Sequence, residues 1–272
     1  MMCFLIIFFT GETFKNLSYH SFLKPYLWIV VQCPDTVEEW KQVADGFQAQ
    51  WNFPNYLGAL DGKHSNKSKH SSSTVVMALV DSGYRLLRVD VGFSGWASDG
   101  RSFGGRSLQD ALRNRTLNIP APAPLPLSDQ LVPYCIAADE SIPLREKQRI
   151  FNYRLSRVQR VMENAFGILA NCFQVLLADL NIKDSAKVED IVLACCALHN
   201  FLQVESGDLY VAGIADQEGP DQLTVPRRWR RDPDLQQHRH ELCRYFMLDV
   251  GAVPFQWGRI QDMAVYCAGD VI

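Results

Sequence analysis

An α/β fold, a mixed sheet flanked by helices, is what this chain of 272 residues predicts. Three observations carry it. Short apolar runs with the length and β-branched content of strands alternate with stretches whose apolar residues recur at helical spacing. With 47% hydrophobic and 21% charged residues, the chain can bury a core for one large domain or two small ones. Acidic residues also stand just past the ends of apolar runs, where α/β sheets customarily place function.

Taken in order, residues 1–36 hold two apolar patches around a Lys/Tyr/His-rich stretch and close on the turn signal Cys33-Pro34-Asp35-Thr36. Asp35 or Thr36 is the expected N-cap of a helix over 37–51, where apolar residues fall at 37, 40, 43, 47 and 51. Phe53-Pro54-Asn55 ends it, and YLGAL (56–60) reads as a short buried strand delivering Asp61 to a turn at Gly62. The polar text over 63–73 reads as loop. TVVMALVD (74–81) and YRLLRVDVGF (84–93) are two β-runs joined by Ser82-Gly83, the second running toward Asp99. SFGGRSLQDALRNRTL (102–117) is partly helical, and PAPAPLPL (120–127) reads as a stiff polyproline-like crossover. YCIAAD (134–139) is the next strand, with Asp139 at its end.

A helix over about 148–171 has apolar residues at 151, 155, 158, 162, 165, 166 and 169. Glu163, one position past Met162, sits about 100° round from that stripe, at its border. The same helix carries Arg149, Arg154, Arg157 and Arg160, which read either as a DNA-contacting basic face or as a solvated one. A helix over 186–206 is apolar around most of its surface and should be buried, its His199-Asn200 reading as a hydrogen-bonded core pair. After 207, Gly, Pro and charge runs such as RRWRR read as a poorly ordered tail.

Composition narrows the function classes. A net charge of −3 and a pI near 6.1 argue against wholesale coating of nucleic acid, so DNA contact would use a local basic surface. Eight cysteines without a CxxC pair fit reduced core thiols better than a zinc site or a disulfide scaffold. The opening MMCFLIIFF lacks a basic n-region and a cleavage site and is too short to span a bilayer, so the chain reads as unsecreted and non-membrane.

Four acids then stand out, Asp61, Asp99, Asp139 and Glu163. Carboxylates at strand ends and on a helix rim suit Mg²⁺ or Mn²⁺, hard cations that prefer oxygen ligands. Each has a plainer reading as well: Asp61 in a turn, Asp99 as an N-cap, Asp139 as a strand-end cap, Glu163 as a solvated acid beside Arg160. Strand, hairpin, strand and helix carrying acids in this order match an RNase H-like architecture. The blocks NFPNYLGALDGKH, SDGRSF, ADESIPL, VMENAFGIL and VLACCALHNFL resemble, in order from about Trp40 to Leu202, the DDE-superfamily endonuclease domain of PIF/Harbinger transposases and of the nucleases derived from them.

The resemblance implies a divalent-metal-dependent DNA endonuclease over 37–206 that works in the nucleus, with the cytoplasm as a second location left open, and with 1–36 a remnant of a preceding region. By motif, Asp61, Asp99 and Glu163 resemble the family's catalytic triad and Asp139 its further acidic site. Asp61 would bridge two metals while Asp99 and Glu163 each hold one, for in-line attack by water or a DNA 3′-hydroxyl. A Myb-like DNA-binding partner is implied too. Three segments are shorter than the family pattern: between His64 and Thr74, between Leu144 and Arg149, and near the N-terminus. They imply a truncated or decayed copy whose sheet lacks one central strand. The alternative function is therefore a catalytically inactive derivative that binds DNA or a protein partner.

Overall fold

Thr36 opens the first described helix, α1 (Val37–Trp51), with both halves of a capping box. Its hydroxyl accepts from the Glu39 N–H at 3.2 Å, and the Glu39 carboxylate accepts from the Thr36 N–H at 3.1 Å, a reciprocal arrangement that satisfies backbone donors the helix cannot. Trp40 and Phe47 of the expected stripe are fully buried, Val43 is half-buried, and Ala44 completes the inner face. The helix stops where Asn52 turns left-handed (φ 56°) and donates its N–H to the Gln48 carbonyl.

This computed structural model describes residues 31–65, 73–94, 116–138, 146–177, 185–207 and 233–257, with single positions 111, 114 and 210. After α1 come the strands β1 (Tyr56–Ser65), β2 (Ser73–Val80), β3 (Leu86–Ser94), β4 (Ala123–Pro124), β5 (Leu131–Val132) and β6 (Cys135–Ala138). Helices α2 (Glu146–Cys172), α3 (Ser185–Ser206) and α4 (Pro233–Tyr245) follow, with a short 3₁₀ turn at Gln174–Leu176. β1, β2, β3 and β6 make one mixed sheet in the order β3-β2-β1-β6, and β4 pairs with β5 in a separate ribbon. The architecture is mixed α/β and compatible with an RNase H-like fold. Among the described residues, no helix is long and apolar enough to cross a membrane.

Several local expectations are corrected. β1 continues to Ser65, so Asp61 and Gly62 lie within a strand instead of a turn, and residues 63–65 and 73 are strand instead of loop. Cross-strand pairing outweighs the polar local composition: β1 has hydrogen-bonded neighbours, β2 and β6, on both edges. The described sheet thus shows no gap beside the strand that carries Asp61. The proline-rich stretch is not a bare crossover, because Ala123–Pro124 pairs antiparallel with Leu131–Val132. Asn55 stabilises that ribbon, its amide donating to the carbonyls of Ala123 at 3.2 Å and Val132 at 2.9 Å. A tail read as poorly ordered contains α4, whose end buries Leu242, Cys243 and Tyr245, and Phe246 just after it is buried as well.

The chain divides into two compact units. One comprises Thr36–Ala59, Ile119–Arg160 and Gly219–Ile272. Its core is an aromatic cluster in which Phe53 meets Tyr56, Phe246 and Phe151 at centroid distances of 5.1, 5.2 and 6.2 Å, and Phe47 meets Tyr56 edge-on at 4.7 Å. Such pairs contribute roughly 0.5–1.5 kcal/mol each beyond area burial. The other unit comprises Met1–Asp35, Leu60–Asn118 and Val161–Glu218. It holds the β2–β3 hairpin, the later half of α2, and α3 packed on β3. The hairpin connection is longer than Ser82-Gly83 alone. The Asp81 carboxylate accepts from the N–H groups of Gly83 and Arg85, both at 2.9 Å, and Tyr84 takes the left-handed position with φ 71°.

Candidate active site

Asp61 and Glu163 are the two members of the predicted acidic set among the described residues, and both belong to the unit that holds the hairpin. Asp61 stands in β1, its side chain exposed, and one carboxylate oxygen accepts the Gly62 N–H at 2.6 Å. A carboxylate has about four lone-pair sites, so that bond leaves capacity for a cation. Glu163 is exposed on α2 while its neighbour Met162 is 1% exposed, the border placement that its helical phase predicts. Asp99 and Asp139 lie outside the described residues, just beyond β3 and β6 respectively. Among the described residues, no three His, Cys, Asp or Glu side chains converge as a metal-binding group. The donor chemistry nevertheless suits a hard divalent ion: Asp61 and Glu163 offer water-accessible oxygens and no soft ligand.

A polar clamp ties α2, the helix that carries Glu163, and α3 to the β2–β3 hairpin. Asn164, next to Glu163, places its amide 3.5 Å from the Tyr84 hydroxyl. From α3, Gln203 donates to the Gly83 carbonyl, and Asn200 pairs with both backbone groups of Leu86, accepting its N–H at 2.9 Å and donating to its carbonyl at 2.8 Å. His199 Nε2 lies 2.9 Å from the Tyr84 carbonyl, which can only accept, so Nε2 carries the proton. Nδ1 then accepts from the Tyr210 hydroxyl at 3.0 Å. The reading of His199-Asn200 as a hydrogen-bonded core pair holds, with 0% and 1% exposure. Sequence spacing gave no signal that the hairpin turn is their partner.

His199 makes stability pH-dependent. Burial lowers its pKa below the ordinary 6.5, outweighing the opposing hydrogen bond to Tyr84. The folded state then binds fewer protons than the unfolded one, so stability is complete above about pH 6.5 and falls as pH drops below it. We expect a Tm nearly level from about pH 8 to 7 and declining from about 6.5 toward 5. The decline should be smaller in His199→Gln. An unchanged acid-side slope in that variant would move the effect to another group such as His238, whose pKa burial also lowers.

The four arginines of α2 are not one surface. Arg149, Arg157 and Arg160 are half-buried, whereas Arg154, predicted to contact DNA, is 1% exposed. Its guanidinium donates to the carbonyls of Asn52 and Gly251 and to Gln256 Oε1 at 3.0 Å, and it lies 4.4 Å from the centre of the Phe246 ring. Burial and repulsion from Arg157 lower its pKa to about 10, which leaves it charged at neutral pH. The signal was present in the sequence. Arg154 is three residues from Phe151 and four from Val158, which places it on the apolar stripe.

Fold and acids together define a carboxylate-bearing α/β sheet protein whose strand and helix present oxygen ligands. Residues 44–200 match the family described as DDE superfamily endonuclease, which is more than half of the chain. The chain therefore belongs to the DDE endonuclease superfamily, whose members generally use divalent metals and act on DNA. No match was found among curated proteins or among solved structures.

Proposed function

We propose that the chain is a Harbinger-type, transposase-derived DNA endonuclease that uses Mg²⁺ or Mn²⁺ in the nucleus alongside a Myb-like DNA-binding partner. The observation that carries this reading is the family match over residues 44–200, which spans all four predicted acids. Asp61, Asp99 and Glu163 form the triad and Asp139 adds a fourth oxygen donor. A bound divalent cation supplies neutralisation of the phosphodiester's charge. The chain's own part is to orient the carboxylates. Asp61 is held by a strand paired on both edges, and Glu163 by a helix whose next residue meets Tyr84.

Asp61→Asn tests it, because the amide keeps shape and loses the charge a hard cation requires. The expected result is Mn²⁺-dependent nicking of supercoiled DNA by the wild type and background nicking by the variant, with an unchanged far-UV spectrum. Nicking that survives the substitution would overturn the assignment.

A further inference from the structure

Tyr153 and Arg157 of α2 grip one ring from the far end of the chain. Phe255 packs with its centroid 6.5 Å from that of Tyr153 at an interplanar angle of 73°, and the Arg157 guanidinium carbon sits 4.5 Å from the centre of the same ring. All three belong to the same unit. Phe255 nevertheless remains 44% exposed, and Trp257, two residues on, is 39% exposed. Two aromatic rings two residues apart are thus open to water, one of them held in place by two neighbours.

The surroundings carry positive charge. Arg149, Tyr153, Arg157 and Arg160 fall within about 80° of one another round the helix, since they are spaced four, four and three residues apart. Burial lowers the pKa of Arg157, Tyr153 opposes this, and Arg160 is close enough to repel it. Each arginine is half-buried, with part of its surface accessible. An exposed aromatic fixed beside several guanidinium groups is the combination that binds unpaired nucleotides: a base stacks on the ring while phosphates meet the arginines.

We propose that Phe255 and Trp257, with Arg149, Arg157 and Arg160, form a stacking platform for single-stranded DNA within the compact unit that does not contain Asp61 and Glu163. Duplex DNA offers this surface its phosphates only, because its bases are already stacked. Single strands offer both. The proposal names the form of substrate for the nuclease reading and rests on it only for biological purpose.

Binding of a fluorescein-labelled oligonucleotide of about 20 nucleotides, single-stranded or duplex, by the full-length chain in EDTA tests it. The wild type should prefer the single strand. Phe255→Leu, which keeps an apolar side chain without a stacking face, should weaken single-strand binding about tenfold, and Phe255→Tyr should restore it. Arg157→Gln should lower affinity and flatten its dependence on salt. Equal binding by wild type and Phe255→Leu would overturn the proposal and leave the ring as a support for Arg157. Absence of DNA binding, with the patch instead capturing a protein, would overturn it as well. Because no metal is present and binding is read without cleavage, this result is distinguishable from that of the nicking assay. Loss of nicking with Phe255-dependent binding retained would remove only the catalytic reading.

Discussion

Replacing Arg154 with methionine is expected to destabilise the chain by about 3 kcal/mol, because it removes the donors of three buried acceptors. The carbonyls of Asn52 and Gly251 and the Oε1 of Gln256 would lose their charged partner while staying inside. Exchange of a buried charge for an apolar side chain of similar volume is often nearly neutral when its partners are removed with it. Here two of them belong to the backbone and cannot be. At ~2–4 °C per kcal/mol for a chain of this size, Tm should fall by roughly 10 °C. Differential scanning calorimetry reads the shift. DNA retention per folded molecule should be unchanged, since a residue 1% exposed presents nothing to a ligand. Normal unfolding with lost retention would return Arg154 to the binding surface.

Asn200→Leu should cost about 2–4 kcal/mol, and Asn200→Asp at least as much. β3 is an outer strand of the sheet, and Leu86 is its first residue. The Asn200 side-chain amide pairs with the Leu86 N–H and carbonyl as a neighbouring strand would, within the buried face against α3. Leucine would leave both groups without that partner, whereas aspartate would keep the acceptor, set a second acceptor against the carbonyl and add a buried charge. Denaturant midpoints measure the loss, and hydrogen exchange at the Leu86 amide locates it. An unchanged exchange rate in Asn200→Leu would show that the amide pairing does not protect the strand.

Much of the fold was legible because local and tertiary preferences agree. The stripe of α2 at 151, 155, 158, 162, 165, 166 and 169 is buried at every position, and Thr36 caps α1 as its hydroxyl and Glu39 predict. Agreement failed where long-range partners supply what the local text lacks. The polar residues 63–65 are strand through pairing, and Pro124 is strand because Leu131 and Asn55 meet its ribbon. In the candidate site, the phase of Glu163 was readable from its spacing to Met162. The clamp on the hairpin was not, since Asn200 and Leu86 are 114 positions apart.

The amino-acid sequence by itself determined the family, the identity of the acids and the helical phases, because each is encoded in residue types a few positions apart. Tertiary structure alone decided which partners the charged and amide side chains met. Arg154 went inside, where carbonyls of Asn52 and Gly251 await it, and Arg157 settled on the ring of Phe255. Asn200 became an added rung on the edge of β3. A polar side chain prefers water and goes inside only where protein partners replace its hydration, and those partners are brought together only by folding.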